Sequence, residues 1–137
     1  MEQIKKAYID ANVFIAAALE NDAQAQRARE ILRDIQSGKL DGYSSVLSID
    51  EVFYKIMKVK SREQAIEACE SLLSMRGLHF IDATKQVLIQ AMRLLDHSHL
   101  LPRDAIHVAS MRAVGASRII SADADFDEVE GIKREKM

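Results

Sequence analysis

With 137 residues and 48% hydrophobic content, the chain can bury a core of its own and fits a single domain over residues 1–137. A formal charge of -2 excludes a passive nucleic-acid binder that relies on overall basicity, and a lone cysteine, Cys69, excludes an internal disulfide. The polar opening Met1-Glu2-Gln3-Ile4-Lys5-Lys6 predicts no leader, and no apolar run reaches the about 20 residues a membrane span requires, so a cytoplasmic protein is expected.

The chain begins on a strand-like run, Lys6-Ala7-Tyr8-Ile9, that ends on Asp10 and passes at once into helix-forming residues. A parallel strand delivers an acid to the open edge of an α/β sheet in this way. A first helix is expected from about Asn12 to Leu19. Asp22 reads as the N-cap of a second, which places Ala28, Ile31, Leu32 and Ile35 on one face before Gly38. Asp41-Gly42-Tyr43-Ser44-Ser45-Val46 reads as a turn into a second strand. Ser48 and Glu51 match a capping box for a helix from about Ile49 to Val59. Ser61 begins another helix, expected to turn Ile66, Cys69, Leu72 and Leu73 inward until Gly77.

Leu78-His79-Phe80-Ile81 is a third strand. A helix from about Thr84 to Asp96 carries Val87, Leu88, Ala91, Leu94 and Leu95 on its core face. Pro102 suits the first position of a helix to Val114 that is apolar on most sides and therefore deeply buried. Arg118-Ile119-Ile120 is a fourth strand, Ser121 to Asp127 an acidic loop beyond it, and a short last strand is expected near Ile132. Strands alternating with helices predict one α/β domain with a mainly parallel sheet.

Four carboxylates fall where such a sheet binds ligands: Asp10 and Asp123 just past strands, Glu51 and Asp104 in the early turns of helices. Two carboxylates ~4 Å apart repel by about 4 kcal/mol at an effective dielectric of ~20, so a cluster must bind a cation or take up protons. Acids without clustered histidine or thiolate suit a hard cation, Mg²⁺ or else Mn²⁺, and such a site suits phosphodiester hydrolysis. Each acid has an ordinary reading as well: Asp10 as an N-cap, Glu51 as a capping-box partner, Asp104 as a complement to its helix dipole. The Asp123 to Asp127 loop superficially resembles a calcium loop, but Glu128 and Arg134 stand where that loop needs glycine and glutamate. Phe126, apolar between acids, should pin the loop to the domain.

Taken in order, Tyr8-Ile9-Asp10-Ala11-Asn12-Val13-Phe14, Ser48-Ile49-Asp50-Glu51-Val52, Leu101-Pro102-Arg103-Asp104-Ala105-Ile106-His107 and Ile120-Ser121-Ala122-Asp123-Ala124-Asp125-Phe126-Asp127 resemble the PIN domain family, in particular its VapC-type ribonuclease toxins. The resemblance implies a three-layer α/β/α domain with about five parallel strands in the order 3-2-1-4-5. It implies Mg²⁺-dependent RNA cleavage by Asp10, Glu51, Asp104 and Asp123. Asp10, Asp104 and Asp123 would hold the metal, and Glu51 would position water or a second metal. Asn12 and Ser121 would orient these acids by hydrogen bonds, with Asp125 as an auxiliary acid. Ala11 departs from the family, where many members carry a hydroxyl residue. The resemblance further implies a homodimer and a small antitoxin partner.

RNA contacts are expected from Lys55, Lys58, Lys60 and Arg62, which begin one turn after Glu51, and from Arg103, which could instead steady a neighbouring acid. A solvated helix face explains the lysine run equally well. His107 is read as a hydrogen-bonded structural histidine ahead of a general acid, and Tyr8 and Phe14 as core. A receiver-type domain would need a lysine after Ile119-Ile120, and a haloacid-dehalogenase-type phosphatase an aspartate at Asn12; both are absent. The remaining alternatives are a stand-alone RNA-processing nuclease and a catalytically silent PIN-like binding module.

Overall fold

A computed structural model describes residues 4–137. Strands β1 (Lys5–Ile9), β2 (Leu40–Ser45), β3 (Leu78–Ile81), β4 (Arg118–Ile120) and β5 (Lys133–Glu135) form one sheet in the order β3-β2-β1-β4-β5. Every pairing is parallel, with Tyr8 opposite both Tyr43 and Ile119. The expected strand order is therefore the observed one, and β1 lies at its centre, buried on both faces.

Helices α1 (Ala11–Leu19), α2 (Ala23–Gln36), α3 (Val46–Val59), α4 (Arg62–Leu73), α5 (Lys85–Asp96) and α6 (Pro102–Ala113) supply the covering layers. Side chains in a strand alternate between faces, so β1 feeds two cores. Ala7 and Ile9 join Val13, Phe14, Ile31, Ile35, Val52 and Ile56 on one side. Tyr8 joins Val87, Ala91, Val108, Met111, Ile119 and Phe126 on the other. Phe126 is fully buried and anchors the loop after β4, whose residues Ala124–Glu128 form one 3-10 helix.

Helix starts follow local capping chemistry at Asp22, Ser61 and Thr84, whose side chains accept from Ala25, Gln64 and Val87 backbone N–H groups. At α3 the expectation fails. The helix starts three residues earlier than the Ser48–Glu51 pattern predicts, with Ser45 as the N-cap accepting from the Leu47 N–H. Ser48 lies inside the helix, fully buried and paired with Ser44 across 2.7 Å. The capping-box reading of Glu51 is thereby removed, and the residue sits in the second turn.

Core assignments also change in two helices. In α4 Ala65, Cys69 and Leu72 are buried, whereas Ile66 is 41% and Leu73 54% exposed. Cys69 and Leu72 stay on the inner face as expected, and Ala65, fully buried, takes the place on it that Ile66 was expected to fill. In α5 Val87 and Ala91 are buried, but Leu88 is 42% exposed. Gly77, before β3, has φ +83°, and a Cβ there would stand 2.4 Å from the Ile35 carbonyl oxygen, so only glycine fits. Among the described residues no helix is long and apolar enough to cross a membrane.

Candidate metal centre

The carboxyl ends of β1 and β4 are adjacent, because β1 pairs with β4 through Ile9 and Ile120. The chain leaves β1 at Asp10 and β4 at Ser121, so these two residues face each other although far apart in sequence. Ser121 Oγ donates to Asp10 Oδ2 at 2.6 Å, and Asn12 Nδ2 reaches the same oxygen at 3.2 Å. The other oxygen, Oδ1, accepts from the Ala11 N–H at 2.8 Å. Asp10 therefore caps α1 and also presents a fixed carboxylate at the sheet edge; its ordinary reading and its functional reading coexist. Burial pushes its carboxyl above the ordinary value, His107 and the Ser121 hydroxyl pull it back, and Glu51 raises it again.

Glu51 reaches the same edge from α3 and His107 from α6. His107 Nε2 lies 2.8 Å from Glu51 Oε1 and 4.0 Å from Asp10 Oδ1. Ligand atoms of Asp10, Glu51 and His107 all lie within 4.8 Å of one another. His107 Nδ1 meets the Tyr8 hydroxyl at 2.6 Å, and both side chains are buried.

Asp104, in the first turn of α6, forms a second group with Asp123 and Asp125, again within 4.8 Å. The loop after β4 is built to hold it. The Asp123 N–H donates to Ser121 Oγ at 2.9 Å, and the Asp125 N–H to Asp123 Oδ1 at 2.9 Å. Arg134 on β5 clamps Asp127 through two hydrogen bonds of 2.8 and 3.0 Å and donates to the Ser121 carbonyl at 3.0 Å. Asp127 is thus neutralised in place, while Asp123 and Asp125 stay turned towards Asp104. The Asp104 carboxyl is pushed up to about 6 by burial first, then by Asp123 and by Asp10. The group around Asp104 thus lies near enough to the group around Asp10 for the Asp10 carboxylate to raise it.

The sequence-predicted acids Asp10, Glu51, Asp104 and Asp123 are accordingly brought to one edge of the sheet, with Asn12 and Ser121 bonded to Asp10. Asp125, expected as an auxiliary, joins Asp104 and Asp123 with ligand atoms within 4.8 Å of one another. Arg103 Nε is 3.8 Å from Glu51 Oε1 and is 61% exposed. Lys55, Lys58, Lys60 and Arg62 are exposed, and Lys58 lies over the Tyr54 ring rather than over an acid. His107 is the residue whose contacts the sequence does not reveal. The signal available was a histidine inside a helix otherwise buried by Ala105, Val108, Ala109 and Met111.

The PIN domain family matches residues 7–132. The chain belongs to the PIN domain family. No curated protein sequence matches it significantly. Among solved structures, it is similar to the Sarcin-Ricin loop cleaving toxin VapC20 of Mycobacterium tuberculosis, with TM-score 0.72 and 18% identity over 88% of this chain and 92% of that one. It is similar to the DNA-bound VapBC of Salmonella typhimurium, with TM-score 0.72 and 18% identity over 96% and 97% of the two chains. A third likeness is to FitAcB of Neisseria gonorrhoeae, with TM-score 0.64 and 15% identity over 93% and 95%. At these identities the likeness establishes the PIN fold over nearly the whole chain.

Proposed function

We propose that this PIN domain is a divalent-metal-dependent endoribonuclease and the toxin of a toxin–antitoxin pair. The observation that carries the reading is that Asp10, Glu51, Asp104, Asp123 and Asp125, from the end of β1, α3, α6 and the loop after β4, gather in two neighbouring groups at one sheet edge. Burial first, and then repulsion from Asp123 and Asp10, raises the Asp104 carboxyl, and a cation bound among these acids would relieve both.

The donor set fits a hard divalent cation, since the group around Asp104 offers carboxylate oxygen alone. Asp10, Asp104 and Asp123 would hold Mg²⁺, with Mn²⁺ as the alternative, and Asp125 would complete the shell. When bound, the cation activates water for in-line attack and offsets charge on the scissile phosphate. The protein's own part is positional. Ser121 and Asn12 fix Asp10, the backbone N–H of Asp125 fixes Asp123, and Arg134 removes Asp127 from competition. Glu51, with Oε1 on His107, has Oε2 to orient the attacking water and take up its proton.

The substrate would lie across this edge. Lys55 and Lys58 share the α3 face of Glu51, at helical spacings of four and seven residues, and offer phosphate contacts leading away from the acids. Lys60 and Arg62 extend that run, and Arg103 borders Glu51. The likeness to a toxin-antitoxin complex from Klebsiella pneumoniae supports a small antitoxin partner for this chain, and a homodimer is proposed beside it. Purified protein should cleave RNA with Mg²⁺ and stop when the metal is chelated. Failure to cleave any RNA with Mg²⁺ or Mn²⁺ would leave the fold as a silent binding module.

A further inference from the structure

Glu51 meets two side chains of α6, Arg103 and His107. It projects from the second turn of α3 on a long side chain that is 18% exposed, and both partners lie against its Oε1. Arg103 Nε lies 3.8 Å away at the solvent side, and His107 Nε2 lies 2.8 Å away at the buried side. An ionised carboxylate only accepts, so the short contact requires a proton on Nε2. His107 is itself held: its ring is 1% exposed, and Nδ1 meets the Tyr8 hydroxyl at 2.6 Å. Tyr8 is fully buried in the central strand and meets the ring edge-on, with centroids 5.7 Å apart. The path from β1 through α6 to α3 thus contains two hydrogen bonds and no exposed member before Glu51.

We propose that His107, anchored by Tyr8, is the positioning residue that holds the Glu51 carboxylate at the Asp10 side of the site. The proposal rests on the nuclease reading for its consequence in catalysis, but its geometry is independent of it. Without the Nε2–H group, Glu51 turns to solvent and the Asp10 side of the site loses an acid. Residues that orient a metal site in this way typically change affinity or activity by about 10–100-fold when removed.

Glutamine places an N–H where Nε2 stands, and asparagine places its amide where Nδ1 stands. Three variants, His107→Gln, His107→Asn and Tyr8→Phe, are compared for kcat and KM on RNA, for Mn²⁺ affinity by calorimetry, and for Tm. His107→Asn should lower kcat and Mn²⁺ affinity by about 10–100-fold with KM nearly unchanged, and His107→Gln should recover most of both. The proposal is overturned if His107→Asn keeps wild-type kcat and Mn²⁺ affinity. It is equally overturned if His107→Gln, with the same Tm as His107→Asn, falls as far, because an N–H at the Nε2 position then makes no difference. Should neither histidine variant fold, Tyr8→Phe decides: weaker Mn²⁺ binding supports the anchor and wild-type binding overturns it. Should the wild-type protein cleave no RNA, the nuclease reading fails alone, and the Mn²⁺ affinities still decide for or against His107.

Discussion

Ser121 Oγ donates a 2.6 Å hydrogen bond to Asp10 Oδ2 across 111 residues of sequence. The same hydroxyl oxygen accepts the Asp123 N–H at 2.9 Å, so one side chain sets two of the acids at once. Ser121→Ala should cost about 1–3 kcal/mol of stability, since it strips a partner from a buried charge, and should lower RNA cleavage by about 10–100-fold. Ser121→Thr, which keeps the hydroxyl, should lie between. Cleavage equal to wild type in Ser121→Ala would show that Asp10 needs no such support.

A pH dependence follows from Asp104, whose carboxyl is pushed up to about 6 by burial and by Asp123 and Asp10. Between its ordinary value and about 6 the folded protein binds the proton that the unfolded chain releases, so stability without metal falls as pH rises through this window. Thermal melts of chelated protein should show Tm declining from acidic pH towards neutrality. A divalent cation competes with the proton at Asp104, so it should restore Tm above about pH 6 and have little effect well below it. A Tm without metal that climbs across this window would contradict the arrangement.

Cation binding should be visible without any substrate. At a free Mg²⁺ concentration ~100 times the dissociation constant, linkage predicts about 2.7 kcal/mol of added stability. Asp123→Asn should weaken this stabilisation and raise the metal-free Tm, because it removes a repulsive neighbour of Asp104. An unchanged response to Mg²⁺ in that variant would place the cation elsewhere.

Gly77 provides a contrast far from the chemistry. Gly77→Ala forces a side chain into left-handed backbone and against the Ile35 carbonyl oxygen at 2.4 Å, so a loss of about 1–3 kcal/mol or more is expected from denaturant unfolding. At temperatures where it stays folded, its metal affinity should match wild type.

The parts of the molecule that depend on short-range pattern could be read from the sequence, and those set by distant partners could not. Asp10 and Asp123 each follow a run of strand formers, which is enough to place them at a sheet edge. Helix starts at Asp22, Ser61 and Thr84 are likewise local. Ser48 misleads because Ser45 offers a cap three residues earlier, and the hydrogen bond from Ser44 Oγ to the Ile9 carbonyl, 35 residues away, belongs to the packed sheet. Ile66 and Leu73 mislead because Ala65 contributes little to a hydrophobic pattern yet takes the place on the inner face of α4 that Ile66 was expected to fill. The role of His107 lies furthest from view: its partners Tyr8 and Glu51 are 99 and 56 residues distant.

The central claim is that carboxylates from β1, α6 and the loop after β4 share one cation and cut RNA with it. It is tested most directly by RNA cleavage in Mg²⁺ by Asp10→Asn, Asp104→Asn and the control Asp50→Asn, whose side chain is exposed on α3 beside Glu51. The first two, folded, should lose at least about 100-fold in rate and the control should stay within about twofold of wild type. Full cleavage by folded Asp10→Asn and Asp104→Asn would contradict it.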